Sequence, residues 1–115
     1  MATTLQIQEI SQRVHERMQE LFGEKLKGVI LYGSYARGDY EEFSDIDMMI
    51  MVDMDKYKLA KYREAVWDFA EDIGCDYDYE VLLSLKLQDM ETFSAWEHVL
   101  PYYKNVAREG IKING

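Results

Sequence analysis

Two short features of the chain carry residue types suited to chemistry on a phosphorylated substrate. They are Gly33-Ser34 and Asp45-Ile46-Asp47, joined by ten residues. In an extended strand, side chains two positions apart share a face, so the carboxylates of Asp45 and Asp47 project side by side. Their charges repel, and a site that keeps both ionised needs a cation; carboxylate oxygens are the ligands magnesium prefers. A Gly-Ser turn opening a helix presents backbone N–H groups that lack an intrahelical acceptor and can hold phosphate oxygens. The glycine lets the backbone approach such a ligand closely. Together the two halves describe a cradle for magnesium and a triphosphate, although neither is specific alone, since Asp-x-Asp recurs by chance and Gly-Ser is a common turn.

Other residues add less. Arg37 sits one turn beyond the cradle, within reach of a triphosphate and equally readable as a surface arginine. Tyr35 and Tyr40 read as packing residues rather than as a border for a base. His15 and His98 have no acid, cysteine or second histidine at a ligand spacing and read as surface residues. Asp76, Asp78 and Glu80 alternate with Tyr77 and Tyr79, so as a strand they place three acids on one face.

The elements that must position these groups follow from periodicity. Ile7, Ile10, Val14, Met18 and Leu21 recur at helical spacing, predicting an amphipathic helix from Leu5 to Phe22 that Gly23 ends. Gly28-Val29-Ile30-Leu31-Tyr32 is a short apolar, β-branched run that delivers the turn at Gly33-Ser34. Ser34 to Arg37 makes one helical turn, and Asp39 to Ser44 reads as loop. The next strand, Asp45 to Val52, is apolar on both faces after its acidic start, as expected of a central strand covered on two sides. A helix from about Lys56 to Ile73, capped by Asp55 and closed by Gly74, precedes a third strand from about Asp76 to Leu85. A weak helix near Gln88–Phe93, a clearer one from about Ala95 to Arg108 and an edge strand at Gly110–Ile113 complete the chain. The order predicts an α/β (α+β) fold, a small mixed β-sheet flanked by helices.

Composition narrows the partners. The 115 residues suit one domain, 1–115, and 48% apolar residues supply a core. The formal charge of −9 and the lack of a basic block argue against long nucleic acid as a partner, and they make a metal necessary if a triphosphate is to bind. Cys75 is the only cysteine, which excludes an internal disulfide and a thiolate-rich zinc site. No apolar stretch approaches the ~18 residues of a membrane span, and Met1 to Gln6 lacks the pattern of a signal peptide, so the expected location is cytoplasmic.

The string Gly33-Ser34-x10-Asp45-x-Asp47 resembles the signature of the DNA polymerase beta-like nucleotidyltransferase superfamily. Within it, Gly33-Ser34-Tyr35-Ala36-Arg37-Gly38 followed by Ser44-Asp45-Ile46-Asp47 is similar to the minimal nucleotidyltransferases (MNT) of prokaryotes. The ending Tyr103-Lys104-Asn105-Val106-Ala107-Arg108-Glu109-Gly110-Ile111 also resembles that family's tail, so the likeness runs from about Leu21 to Ile113. It implies a nucleotidyltransferase fold with the Gly-Ser turn and both aspartates at one rim of the sheet. It implies transfer of a nucleoside monophosphate from a nucleoside triphosphate such as ATP, with pyrophosphate released. Asp45 and Asp47 would bridge two Mg2+ ions about 3.5–4 Å apart. A third carboxylate belongs on the next strand. Glu80, immediately before Val81-Leu82-Leu83-Ser84, matches that position best, and Asp78 is the second candidate.

Members of this size commonly act as antitoxins beside a separate all-helical HEPN toxin, a ribonuclease, transferring AMP from ATP onto a toxin tyrosine. The resemblance therefore implies a protein adenylyltransferase. Two other readings stand beside it: a nucleotide-binding antitoxin that acts by occlusion, and a small-molecule nucleotidyltransferase of the aminoglycoside-modifying kind.

Overall fold

The computed structural model describes residues 2–42 and 44–113; Phe43, within the expected loop, lies outside them. Helix α1 spans Thr4–Phe22. Thr3 Oγ1 accepts from Gln6 N at 3.1 Å while Thr3 N donates to Gln6 Oε1 at 2.9 Å, a reciprocal cap of the first turn. The helix stops at Gly23, whose φ of +53° suits glycine. Strand β1 (Leu26–Tyr32) leads into the one-turn helix α2 (Ser34–Arg37), and strand β2 (Ile46–Val52) follows the loop. These elements match the expected ones to within a residue or two.

Among the described residues the sheet has four strands in the order β3-β2-β1-β4. β2 runs antiparallel to β1, with Tyr32 opposite Asp47, and parallel to β3 (Leu83–Asp89), with Ser84 opposite Asp47. β4 (Ile111–Ile113) pairs antiparallel with β1. Alternation along β2 feeds two cores. Ile46, Met48, Ile50 and Val52 pack with Ile10, Val14 and Met18 of α1, while Met49 and Met51 pack with Phe93 and Val106 on the opposite face. Burial on both faces explains the near-continuous apolar run. No helix among the described residues is long and apolar enough to cross a membrane.

Three segments differ from the expectation. The helix foreseen at Lys56–Ile73 is α3 (Lys56–Leu59), a 3₁₀ turn at Ala60–Tyr62 and α4 (Arg63–Asp76). Gly74 lies inside α4, where it packs under Tyr79 instead of ending the helix. The chain leaves α4 through Asp78 and Tyr79, both left-handed at φ +54° and +58°, with Tyr79 N donating to Gly74 O at 2.8 Å. The third strand therefore begins at Leu83, not Asp76, and the alternation of acids and tyrosines at 76–80 is a turn. The weak helix expected near Gln88–Phe93 is α5 (Met90–Trp96), and the helix expected from about Ala95 to Arg108 begins later, as α6 (Pro101–Glu109). Pro101 holds Leu100 extended and starts α6 at its first helical position, where no N–H is needed.

Candidate active site

The antiparallel pairing of Tyr32 with Asp47 brings the turn that follows β1 beside the start of β2. Gly33 adopts φ +77°, and a Cβ there would lie 2.6 Å from Asp47 Oδ2. The Asp47 carboxylate thus rests against the glycine backbone, a fit that any side chain at 33 would close. Gly33 O accepts from both Ala36 N and Arg37 N at 3.1 Å. The amides of Ser34 and Tyr35 have no backbone acceptor among the described residues, which leaves two N–H groups for an anion. Tyr35 is buried, accepts Ala2 N at 3.0 Å through its hydroxyl and stacks on Tyr40 with centroids 4.5 Å apart. Both tyrosines pack, as expected, and they hold α2 in place.

Asp45 is exposed and Asp47 half-buried. Burial pushes the Asp47 carboxyl above the usual carboxylate range, Asp45's charge adds to that, and Lys86 and Arg37 pull it back. Two adjacent acids, one partly desolvated, form a hard-oxygen donor set that a divalent cation would neutralise. Arg37 is exposed and bonded to Asp39 Oδ2 at 3.2 Å, with Glu109 Oε2 at 3.6 Å. Both acids, Asp39 first, hold its guanidinium pKa up.

The structure does not bring Glu80 or Asp78 to this pair. Both are exposed in the turn between α4 and β3, and among the described residues no three acids, histidines or cysteines stand close enough to share a metal. Their expected place on a site-facing strand is corrected because β3 starts three residues after Glu80. The β3 residue opposite Asp47 is Ser84, and Lys86 follows two positions later on the same face.

Three further side chains near Asp47 escaped the sequence reading. Tyr102 Oη donates to Tyr32 Oη at 3.1 Å, their rings are edge-to-face at 5.8 Å, and Lys86 Nζ lies 5.4 Å from the Tyr102 ring centroid. Burial is the main cause raising both tyrosine pKa values, with Asp47's charge contributing to each. At neutral pH both hydroxyls are protonated, neutral donors beside the acids. The period-two alternation would have pointed to Ser84 and Lys86 had the strand been started at Leu83. Nothing local pointed to Tyr102, which arrives from α6.

Comparisons with known proteins identify the family and the fold. A family model described as "Nucleotidyltransferase domain" matches residues 11–111. A candidate protein adenylyltransferase of Methanocaldococcus jannaschii is 46% identical over 74 residues, 64% of this chain and 73% of the relative. A second from the same organism is 33% identical over 87 residues, 75% of this chain and 76% of the relative. A crystal structure of a toxin–antitoxin with AMP-PNP shares the fold at a TM-score of 0.50 and 18% identity, covering 91% of this chain and 73% of that one.

Proposed function

The chain belongs to the nucleotidyltransferase domain family, and on that premise we propose that it transfers AMP from ATP, with magnesium, onto a tyrosine of a separate HEPN-type toxin, serving as that toxin's antitoxin. The observation that carries the reading is the contact of the Asp47 carboxylate with the backbone of Gly33. It joins the acidic pair and the amide-bearing turn in one site. The M. jannaschii relatives, candidate protein adenylyltransferases, support a protein as acceptor. The toxin–antitoxin that shares the fold was solved with AMP-PNP, which supports an adenine nucleotide as donor.

Asp45 and Asp47 would hold magnesium, and the turn at Gly33-Ser34 would hold phosphate oxygens on the free amides of Ser34 and Tyr35. The metal, when bound, offsets the negative charge of the triphosphate and polarises the reacting phosphate. The acidic chain itself orients the donor through those amides, and the Lys86 ammonium lies close enough to Asp47 to share in balancing charge. In the transfer, the acceptor tyrosine oxygen bonds to the α-phosphorus, the bond from that phosphorus to the bridging oxygen breaks, and pyrophosphate leaves with the hydroxyl proton released. AMP on a ribonuclease adds bulk and negative charge where RNA phosphate must sit.

A second reading has its own observation: the third carboxylate is not gathered with the first two, which favours a nucleotide-binding antitoxin acting by occlusion. Incubating the protein with α-labelled ATP, magnesium and the product of the neighbouring gene separates the two. Label on the partner that disappears with Asp45→Asn plus Asp47→Asn is expected. Silencing of the partner that survives the double substitution, with no label, would establish occlusion instead.

A further inference from the structure

We infer that the open edge of β3 docks the acceptor protein as an extended segment, with an acidic side chain about two residues from the one that is modified; this rests on the reading of the chain as a protein-modifying enzyme. β3 is the outermost strand and pairs only with β2 among the described residues, so its other edge presents unpaired N–H and C=O groups. Two adjoining cavities, about 290 and 460 Å³, lie along it. The smaller is lined by consecutive residues 83–85 and the larger by consecutive residues 85–88. Consecutive strand residues point to opposite faces, so hollows lined by such runs follow the strand edge itself and not one face of the sheet. Val66, Trp67 and Leu85 line both, which makes them one groove with Trp67, 68% exposed, as its wall. A groove that offers a row of backbone hydrogen-bonding groups beside an aromatic wall suits a polypeptide strand.

The charges along the groove give the occupant its polarity. One end holds Asp45 and Ser84, so it opens onto the proposed metal pair. The other holds Arg63 and Lys86, and neither is in an ion pair with an acid among the described residues, in a chain whose formal charge is −9. Two cations with no acid at ion-pair distance among the described residues, in an acidic protein, match a carboxylate on the partner. Ser84 and Lys86 are two residues apart, about 6.6 Å along a strand. A segment paired with β3 that sets its hydroxyl beside Ser84 therefore sets the side chain two positions on beside Lys86, and Arg63 reaches the same end.

The test uses the whole protein carrying Trp96→Phe, so that Trp67 alone reports by fluorescence. Three capped seven-residue peptides, the length of β3, serve as probes: valine and threonine around a tyrosine with glutamate two positions on, the same with lysine for glutamate, and the first with alternate backbone amides methylated. The glutamate peptide is expected to shift Trp67 emission and bind at least roughly tenfold more tightly than the other two, a loss typical of one interface charge or strand pairing. Arg63→Glu should reverse the preference between glutamate and lysine. Trp67→Ala and Arg63→Glu should each lower AMP transfer to the glutamate peptide about tenfold while binding of magnesium–ATP stays within about twofold.

Equal binding of the methylated peptide, or no binding of any peptide at about 1 mM, overturns the docking proposal. AMP-PNP that alone shifts Trp67 and displaces the glutamate peptide also overturns it, by giving the groove to the nucleotide. Transfer that proceeds unchanged in both groove variants sinks the docking site and leaves the enzymatic reading standing. Docking with the expected preferences but with no AMP transferred to peptide or protein upholds the edge site and sinks the enzymatic reading.

Discussion

At the candidate site the closest fit is that of Gly33 against Asp47. Gly33→Ala would ask an L-residue to hold φ +77° and would place its Cβ 2.6 Å from Asp47 Oδ2, so the carboxylate must move. The backbone penalty is about 1–2 kcal/mol, and a misplacement of about 1 Å at a reacting centre costs on the order of a hundredfold in rate. Transfer of label should fall by about that factor in a variant that still folds, as judged by circular dichroism. Asp47 itself is held at a cost, because burial and Asp45 disfavour its charge. Its raised folded pKa means the penalty is present above that pKa and is relieved as pH falls through it towards the ordinary value near ~3.9. Asp47→Asn should accordingly raise the melting temperature of the metal-free protein at neutral pH by a few degrees, flatten its acid response and abolish transfer. A fall in melting temperature would show that the charge is not strained.

At the scale of elements, the joint between β3 and α5 governs where the edge strand ends. Asp89, 8% exposed, closes β3 and caps α5, accepting from Thr92 N at 2.9 Å and from Gln88 Nε2 at 3.3 Å. Asp89→Ala removes the cap and leaves a part-buried amide without its acceptor, which should cost about 1–2 kcal/mol in urea unfolding. A change under about 0.5 kcal/mol would mean that solvent replaces the carboxylate at no loss. At α6, Gly110 admits close packing: a Cβ there would lie 2.5 Å from both Ile30 Cγ2 and Val106 O. That approach seats β4 on β1 and turns Tyr102 towards Tyr32.

For the whole molecule, β2 joins the two cores, with Asp45 just before it and Asp47 near its start, so core packing and site geometry share one strand. Ile50 is fully buried and packs with α1 and α4. Ile50→Ala should destabilise by about 2–5 kcal/mol, read as a lower denaturant midpoint at an unchanged slope. A loss under about 1 kcal/mol would imply that the layers close over the cavity. The acidity of the whole chain acts in the other direction at the site. It leaves Arg63 and Lys86 as a local cationic end in a negative field, a contrast that selects among partners by charge.

Local pattern determined much of this protein without help from tertiary contacts. The helix from Thr3 to Gly23, the apolar β1, the turn at Gly33-Ser34 and the Asp45–Asp47 pair all depend on residues within one or two turns of each other, and all lie where the sequence puts them. Residues 76–80 show where that ends. Alternating acids and tyrosines satisfy a strand pattern and a left-handed turn equally, and the turn is the form that ties the segment to α1, where Arg13 Nη2 donates to Asp76 Oδ2 and Tyr77 Oη donates to Glu9 Oε2, each at 2.8 Å. The tertiary structure alone set β3 parallel to β2 with Ser84 opposite Asp47, and brought Tyr102 from α6 to Tyr32. Register across a helical crossover is chosen by which layers bury together, and that free energy belongs to residues far apart in the chain.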